Sequence, residues 1–351
     1  MSIPTYATRE DVKGALDFKQ TARADQQIDR ALHTASRGVD ALCHRRFYPE
    51  LATRSWDWPN GQGARPWRLW LDANELISIT EVTTGGDIVP PEAVLPEPNQ
   101  YGPPYNQVQL NISSPTSGWE IGDTHQRSIA ITGLYGYHDD ETLTGQATGA
   151  LDTTATTVTV DADTSAAVGV GNLLRLDTER IIITGRTQTD TGQTLNAGID
   201  AQAKTVMVPV GDTTGFAVGE TLLIDGERLH IVDIAGAYLV VKRAWDGTVL
   251  TAHTTGAVIY APRTLTVARG ALGTTAAAHA DGVTVHRFDP PPLAHQLALG
   301  EAINIVLQEQ AGWFRTAGSG SSGKEASLAA LTALRTQTYD ALGRKARLRG
   351  V

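Results

Sequence analysis

The residues that could do chemistry gather in three places. Asp177-Thr178-Glu179-Arg180 returns as Asp225-Gly226-Glu227-Arg228, His253 has a counterpart in His279, and His138-Asp139-Asp140-Glu141 stand in a row. Carboxylates at such spacing are the material of a calcium site or an acid/base pair, and histidine can ligate or carry protons. The local patterns point to plainer geometry. Consecutive strand residues face opposite ways, so 138–141 cannot all turn to one ion, and the run reads as a solvated loop after Gly136. The two acidic segments lie between β-rich stretches and read as two-residue hairpin turns with Thr178 or Gly226 at the tip. Each histidine reads as a hydrogen-bond partner in a turn.

Catalytic motifs are missing. The sequence has no GxSxG elbow, P-loop, HExxH or strand-following GxGxxG. Its single cysteine, Cys43, excludes a disulfide framework or thiolate zinc cluster and reads as a small core residue. The expectation is a protein without enzymatic activity, cofactor or metal. Trp56, Trp58, Trp67 and Trp70 invite a sugar platform. Alternation instead puts Trp56 with Trp58, and Trp67 with Leu69 and Leu71, which favours core or subunit-interface packing.

A net charge of −9 over 351 residues is not built to grip a phosphate backbone. An acidic surface suits a conduit through which DNA slides, but ordinary solubility is the favoured explanation. The C-terminal end is the basic exception, with Arg335, Arg344, Lys345, Arg347 and Arg349. A hinge, Gly318-Ser319-Gly320-Ser321-Ser322-Gly323, precedes it. Such a segment can dock on an acidic partner, touch DNA, or simply be solvated. No apolar run approaches the roughly 20 residues of a membrane span, and MSIPTYATRED lacks the pattern of a signal peptide.

The elements that must position these residues follow from periodicity. Thr8 and Asp11 mark a helix start. A longer helix is expected from about Asp25 to about Arg46, its stripe formed by Ile28, Leu32, Ala35, Val39 and Leu42. Residues 54–137 read as strands and turns. Gly85-Gly86-Asp87 signals a hairpin, Val108, Leu110 and Ile112 alternate in one strand, and 128–133 form another. Helices are expected again at about Leu293–Gln310 (stripe Leu299, Ile303, Val306) and about Lys324–Leu342, where Leu328, Leu331, Leu334 and Leu342 are apolar.

Between them the chain repeats itself. Residues from Thr157 match those from Thr205 at constant shift, including Val158/Val206, Gly171/Gly219, Asp177/Asp225, Glu179/Glu227 and Ile183/Ile231. A second match pairs Leu239/Leu265, Arg243/Arg269, Gly247/Gly273, His253/His279 and Gly256/Gly282. Both copies of the first match precede both copies of the second, and that order is the one expected of one β module inserted in another. The expected fold is α+β: a helical bundle formed by N- and C-terminal helices, with a large, mostly antiparallel β insertion containing two nested, related modules. The expected division is 1–53 N-terminal helices, 54–150 first β region, 151–203 with 263–289 outer module, 204–262 inner module, 290–317 bundle helix, and 318–351 hinge and basic helix.

Three stretches resemble the start of siphophage head-to-tail connector proteins: Tyr6-Ala7-Thr8-Arg9-Glu10-Asp11-Val12-Lys13, residues Ile28 to Asp40, and Cys43-His44-Arg45-Arg46-Phe47-Tyr48-Pro49. Trp70-Leu71-Asp72-Ala73-Asn74-Glu75-Leu76, Gly102-Pro103-Pro104-Tyr105 and Val267-Ala268-Arg269-Gly270-Ala271-Leu272-Gly273-Thr274 look similar to adaptors from phages of actinobacterial hosts. The resemblance implies a head-to-tail adaptor in the virion neck, assembled in the host cytoplasm. It implies a dodecameric ring bound to the portal protein, a stopper or tail-completion protein below, possible contact with the major capsid protein, and genomic DNA passing without sequence-specific binding. It further implies a portal-docking segment, assigned here to Leu331, Leu334, Arg335, Leu342, Arg344, Lys345, Arg347 and Arg349; in such an assembly the Trp-rich strands would put Trp56, Trp58, Trp67 and Trp70 at the subunit interface. The alternative is a tail or baseplate protein whose β modules bind a host surface glycan.

Overall fold

The computed structural model describes residues 3–16, 22–58, 67–114, 118–310, 316–317, 324–325 and 328–344. The 318–323 hinge of the sequence, and Lys345, Arg347 and Arg349, lie outside the described residues. The protein is α+β, with about 37% strand and 23% helix, so strands dominate. Two compact units are formed. One comprises 1–39, 141–271 and 275–337, the other 40–140, 272–274 and 338–351.

Helix α1 (Arg9–Leu16) starts at a reciprocal cap. The Thr8 amide donates to Asp11 Oδ2 (2.8 Å) and the Asp11 amide to Thr8 Oγ1 (3.1 Å). Helix α2 (Ala22–Cys43) begins and ends earlier than its periodicity suggests. His44, with φ +52°, adopts the left-handed conformation that stops a helix.

The second unit holds strands β1 (Glu50–Trp56), β2 (Arg68–Trp70), β3 (Leu76–Thr84), β4 (Asp87–Ile88), β5 (Val94–Glu97), β6 (Gln107–Leu110) and β7 (Ile129–Tyr135). They make an antiparallel sheet in the order β1-β7-β3-β4 and a smaller one, β2-β6-β5. Trp56, Leu69, Leu71, Val108, Ile129, Ile131 and Tyr135 share its core. The β3–β4 turn is Gly85-Gly86 with φ +60° and +106°, conformations that glycine adopts without steric cost. Expected to extend β6, Ile112 instead lies beyond it and is 68% exposed. The chain turns at Asn111, whose side-chain oxygen accepts the Ser113 amide and removes the residue from the ladder.

In the first unit follow β8 (Glu141–Thr148), β9 (Thr157–Val160), α3 (Ala162–Ala167), β10 (Leu173–Leu176), β11 (Glu179–Thr194), β12 (Met207–Pro209), β13 (Thr221–Ile224), β14 (Glu227–Ala235), β15 (Tyr238–Lys242), β16 (Val258–Ala268) and β17 (Thr284–Phe288). The sheet order is β11-β10-β17-β8-β9-β16-β13-β14-β15-β12, and β11 pairs again with β16, so part of the ladder returns on itself. β8 pairs with β17 and β9, which sets residues 141–148 in this sheet rather than in the first β region of the sequence reading. Helix α3 is held by Asp161, which accepts the Thr164 amide.

Two apolar clusters lie along the long strands. Val158, Leu174, Ile181, Ile183, Leu265 and Val267 belong to one. Val208, Leu222, Ile231, Leu239, Val241 and Ile259 belong to the other. β16 feeds both: Leu265 and Val267 enter the first, Ile259 and Ala261 the second.

Helix α4 (Pro292–Gln310) begins with proline at its first position, where no backbone donor is needed. Ala302, Val306 and Leu307 share an apolar cluster with Val12 of α1 and Ile28, Ala31, Leu32 and Ala35 of α2. Arg9 clamps α1 to α2 through Asp29 (2.6 Å) and Asp25 (3.4 Å). Helix α5 spans Leu328–Leu342, starting later than expected, because Lys324 and Glu325 pair as a strand with Ala317 and Thr316. Among the described residues, no helix is long and apolar enough to cross a membrane.

Candidate functional site

The two acidic turns and the two histidines, separate in the sequence, meet in space, once per repeat. The β10–β11 and β13–β14 hairpins turn on two residues, Leu176 pairing with Glu179 and Ile224 with Glu227. The left-handed position falls on Asp177 (φ +49°) and Asp225 (φ +52°), a conformation aspartate tolerates better than most residues. Each turn aims a buried glutamate inward.

Around Glu179 the donors converge. Arg269 Nε reaches Oε1 (2.7 Å) and its Nη2 reaches Oε2 (2.8 Å). The amides of Gly270 (2.8 Å) and Ala277 (3.0 Å) add two hydrogen bonds. His279 Nε2 lies 2.9 Å from Oε2, while Nδ1 lies 2.8 Å from Asp177 Oδ2. Glu227 repeats the set. Arg243 is at 2.7 and 2.8 Å, the Ala244 amide at 2.9 Å, the Thr251 amide at 3.0 Å and His253 Nε2 at 3.0 Å. His253 Nδ1 lies 2.6 Å from Asp225. Both glutamates and both imidazoles are closed to solvent, whereas the aspartates are mostly exposed.

Burial alone would push the Glu179 carboxyl up. The Arg269 guanidinium, the Ala277 and Gly270 amides and the His279 ring overcome that and hold it at about 2. The same opposition, with Arg243, Thr251, Ala244 and His253, holds Glu227 at about 2. Each ring nitrogen faces a carboxylate oxygen, and both donate together only in the imidazolium form. A histidine so engaged, without solvent access, has no free nitrogen for a substrate. What the arrangement does is fasten: the residues after β15 or β16 are tied to a hairpin tip through a bidentate, charge-assisted pair. The hairpin reading of these segments matches the register. The aspartate–glutamate–arginine–histidine union was missed, although internal identity of all four residue types between repeats carried the signal.

Other buried charges are also matched. Glu220 holds Arg263 at 2.9 Å through both oxygens. Arg186, mostly buried, donates to the carbonyls of Val168 (2.8 Å), Ser165 (2.6 Å) and Pro262 (3.1 Å). His138 lies 3.2 Å from the exposed Asp140 in a loop, and no cluster with metal-ligand composition occurs among the described residues. A polar cleft of about 290 Å³ includes Glu10, Asp11, Arg287, Asp289 and His295. Within it Arg287 pairs with Asp289 (2.8 Å) and His295 with Asp11 (3.3 Å).

The sequence-derived contact residues are placed as follows. Trp56 is buried in the core of its own unit, and Trp58 and Trp67 are partly buried against the same cluster. Trp58 Nε1 donates to the Trp119 carbonyl (2.7 Å). Trp70 is half-buried. Leu331 and Leu334 of α5 line a groove of about 530 Å³ against Ile303 and Leu307 of α4. Arg335 binds Glu301 of α4 at 2.5 and 2.9 Å. The helix read as a free docking arm thus lies, in its first half, on its own chain. Leu342 is half-buried, and the Arg344 amide donates to the Cys43 carbonyl (2.8 Å). No family model, curated protein or solved structure matches this chain.

Proposed function

We propose that the chain is a non-catalytic virion assembly protein, a head-to-tail adaptor that forms a ring beneath the portal of a tailed bacteriophage. The observation that carries this reading is the cluster uniting Ile28, Leu32 and Ala35 with Ala302, Val306 and Leu307. In the proposal it is a helical bundle closed by the two ends of the sequence. The β structure is then an insertion of two nested modules, each with its own apolar cluster and its own glutamate clasp. Such modules supply contact surface. Their histidines, enclosed between carboxylates, serve cohesion rather than turnover.

In this reading subunits meet through unlike faces that close by rotation. Deleting the gene from a phage that encodes this chain tests the proposal. The expected particles are DNA-filled heads without tails, and purified protein added to them restores tail joining. Tailed particles of normal appearance from the deletion would overturn it.

A further inference from the structure

The second unit carries a lopsided charge. From Leu69 to Gln126 the sequence has eight carboxylates and no lysine or arginine. Several gather where the β3–β4 hairpin turns. The Glu120 amide donates to Thr84 Oγ1 (2.6 Å), and Gly85 packs so closely on residue 120 that a Cβ there would lie 3.0 Å from Glu120 Cβ. Asp87 follows the same turn, and Asp123 follows Glu120. All three carboxylates are exposed. Isoleucines stand among them: Ile88 is 66% exposed and Ile121 51%. Arg127 is nearby, its backbone amide donating to Asp57 Oδ1 (2.9 Å), so a carboxylate accompanies that cation. β4 is also the outermost strand of its sheet, so among the described residues no strand pairs with its far side.

A segment of opposite character ends the sequence. Residues 344–351 read Arg-Lys-Ala-Arg-Leu-Arg-Gly-Val, with four cations and no carboxylate. In an extended strand Lys345, Arg347 and Arg349 share one side and Ala346 and Leu348 the other. That alternation matches carboxylates beside isoleucines at a free sheet edge.

Reach decides which copy supplies the segment. The Arg344 amide is fixed to the Cys43 carbonyl, and Arg45, two residues on, pairs with Glu75 (3.1 Å), just before β3. From there β3 runs nine residues to the hairpin tip, roughly 26 Å at about 3.3 Å per residue. Five residues beyond Arg344 span at most about 17 Å. Even fully stretched, Lys345, Arg347 and Arg349 all fall short of the tip of their own copy.

We propose that the acidic, isoleucine-bearing tip of the β3–β4 hairpin is the docking site for residues 345–351 of a second copy of this chain. Tail and tip are different surfaces, so the contact is head-to-tail and leaves one free tail and one free tip at each step. It transfers Lys345, Arg347 and Arg349 from the portal contact that the resemblance implies to the contact between copies. The contact stands whether or not the adaptor reading does.

Charge exchange in the full chain, followed by sedimentation velocity, tests it. The unaltered chain should self-associate at low salt and dissociate as salt rises. Asp87→Lys with Glu120→Lys, or Lys345→Glu with Arg347→Glu and Arg349→Glu, should each weaken association about tenfold or more. All five substitutions should keep the fold by circular dichroism, the two tip positions being exposed. Mixing the two variants should restore association, because each then offers a face complementary to the other. A chain monomeric at low salt, variants that associate like the parent, or a mixture without recovery would each overturn the proposal. None of these results bears on tail joining in the phage deletion.

Discussion

The Nε2 atom of His279 lies 2.9 Å from Oε2 of Glu179, and neither side chain reaches water. Removing the glutamate charge leaves Arg269 and His279 buried without their anion. Breaking one partner of such a buried network costs about 3–5 kcal/mol. Glu179→Gln should lower unfolding stability by that amount in a denaturant titration, and Glu227→Gln likewise. The two effects should be local. Glu227 serves the strands around Leu222, Leu239 and Ile259, so its variant should lose hydrogen-exchange protection there first and keep it at Ile181 and Ile183. Uniform loss across both clusters would show that they open as one.

Acid should attack the same two points. Glu179 and Glu227 are held at about 2 against an ordinary value of 4.5. A carboxylate whose folded value is depressed adds stability above its unfolded value and gives it up as pH falls toward the folded one. Each therefore contributes about 3 kcal/mol at neutral pH, lost between roughly pH 5 and pH 2. Unfolding midpoints measured through that window should fall steeply for the parent chain. The slope should be much shallower in Glu179→Gln with Glu227→Gln; an unchanged slope would assign the acid sensitivity elsewhere.

Much of this fold was legible because its signals are local. The stripe Ile28, Leu32, Ala35, Val39 gave α2, and Gly85-Gly86 gave the β3–β4 turn. Helix ends were less legible, since a single left-handed residue, His44, sets the end of α2 and histidine is no stop signal by type. Ile112 misled for a similar reason: its alternation with Leu110 is strand-like, but Asn111 turns the chain. The clasps were hidden by distance along the chain. Glu179 and His279 are 100 residues apart, and only the β11–β16 ladder brings them together. The repetition of aspartate, glutamate, arginine and histidine in both halves was visible, and read jointly it names the site. The Trp56 indole was ambiguous because alternation tells which residues share a face, not whether that face is covered by the chain itself.

Gly171 is required twice over, which makes a sharp test of how the N-terminal segment is anchored. Its φ is +104°, and a Cβ added there would lie 2.0 Å from Thr5 Oγ1. The Thr5 amide also donates to the Gly171 carbonyl (3.0 Å). Gly171→Ala therefore forces backbone strain and expels Thr5, and a loss of about 2 kcal/mol or more is expected. Gly192 has φ +73° but open space around it, so Gly192→Ala reports strain alone. Thermal unfolding should show a clearly larger drop for the first variant. Equal drops would mean that the Thr5 contact adds nothing.

Cys43 offers a last, chemical readout. It is fully buried at the end of α2, and burial pushes its thiol up to about 11 against the opposing pull of Arg45. At pH 8 about one molecule in a thousand then carries the nucleophilic thiolate, on top of the barrier that packing sets. A disulfide reagent such as Ellman's should leave the native chain unlabelled over the time in which guanidinium-unfolded chain reacts completely. Because Arg344 bonds the Cys43 carbonyl, ending the chain at Gly343 should loosen this turn and speed labelling without global unfolding. Native labelling as fast as the unfolded chain would show that the end of α2 is open. The reach from Arg344 to the hairpin tip would then lose its fixed origin.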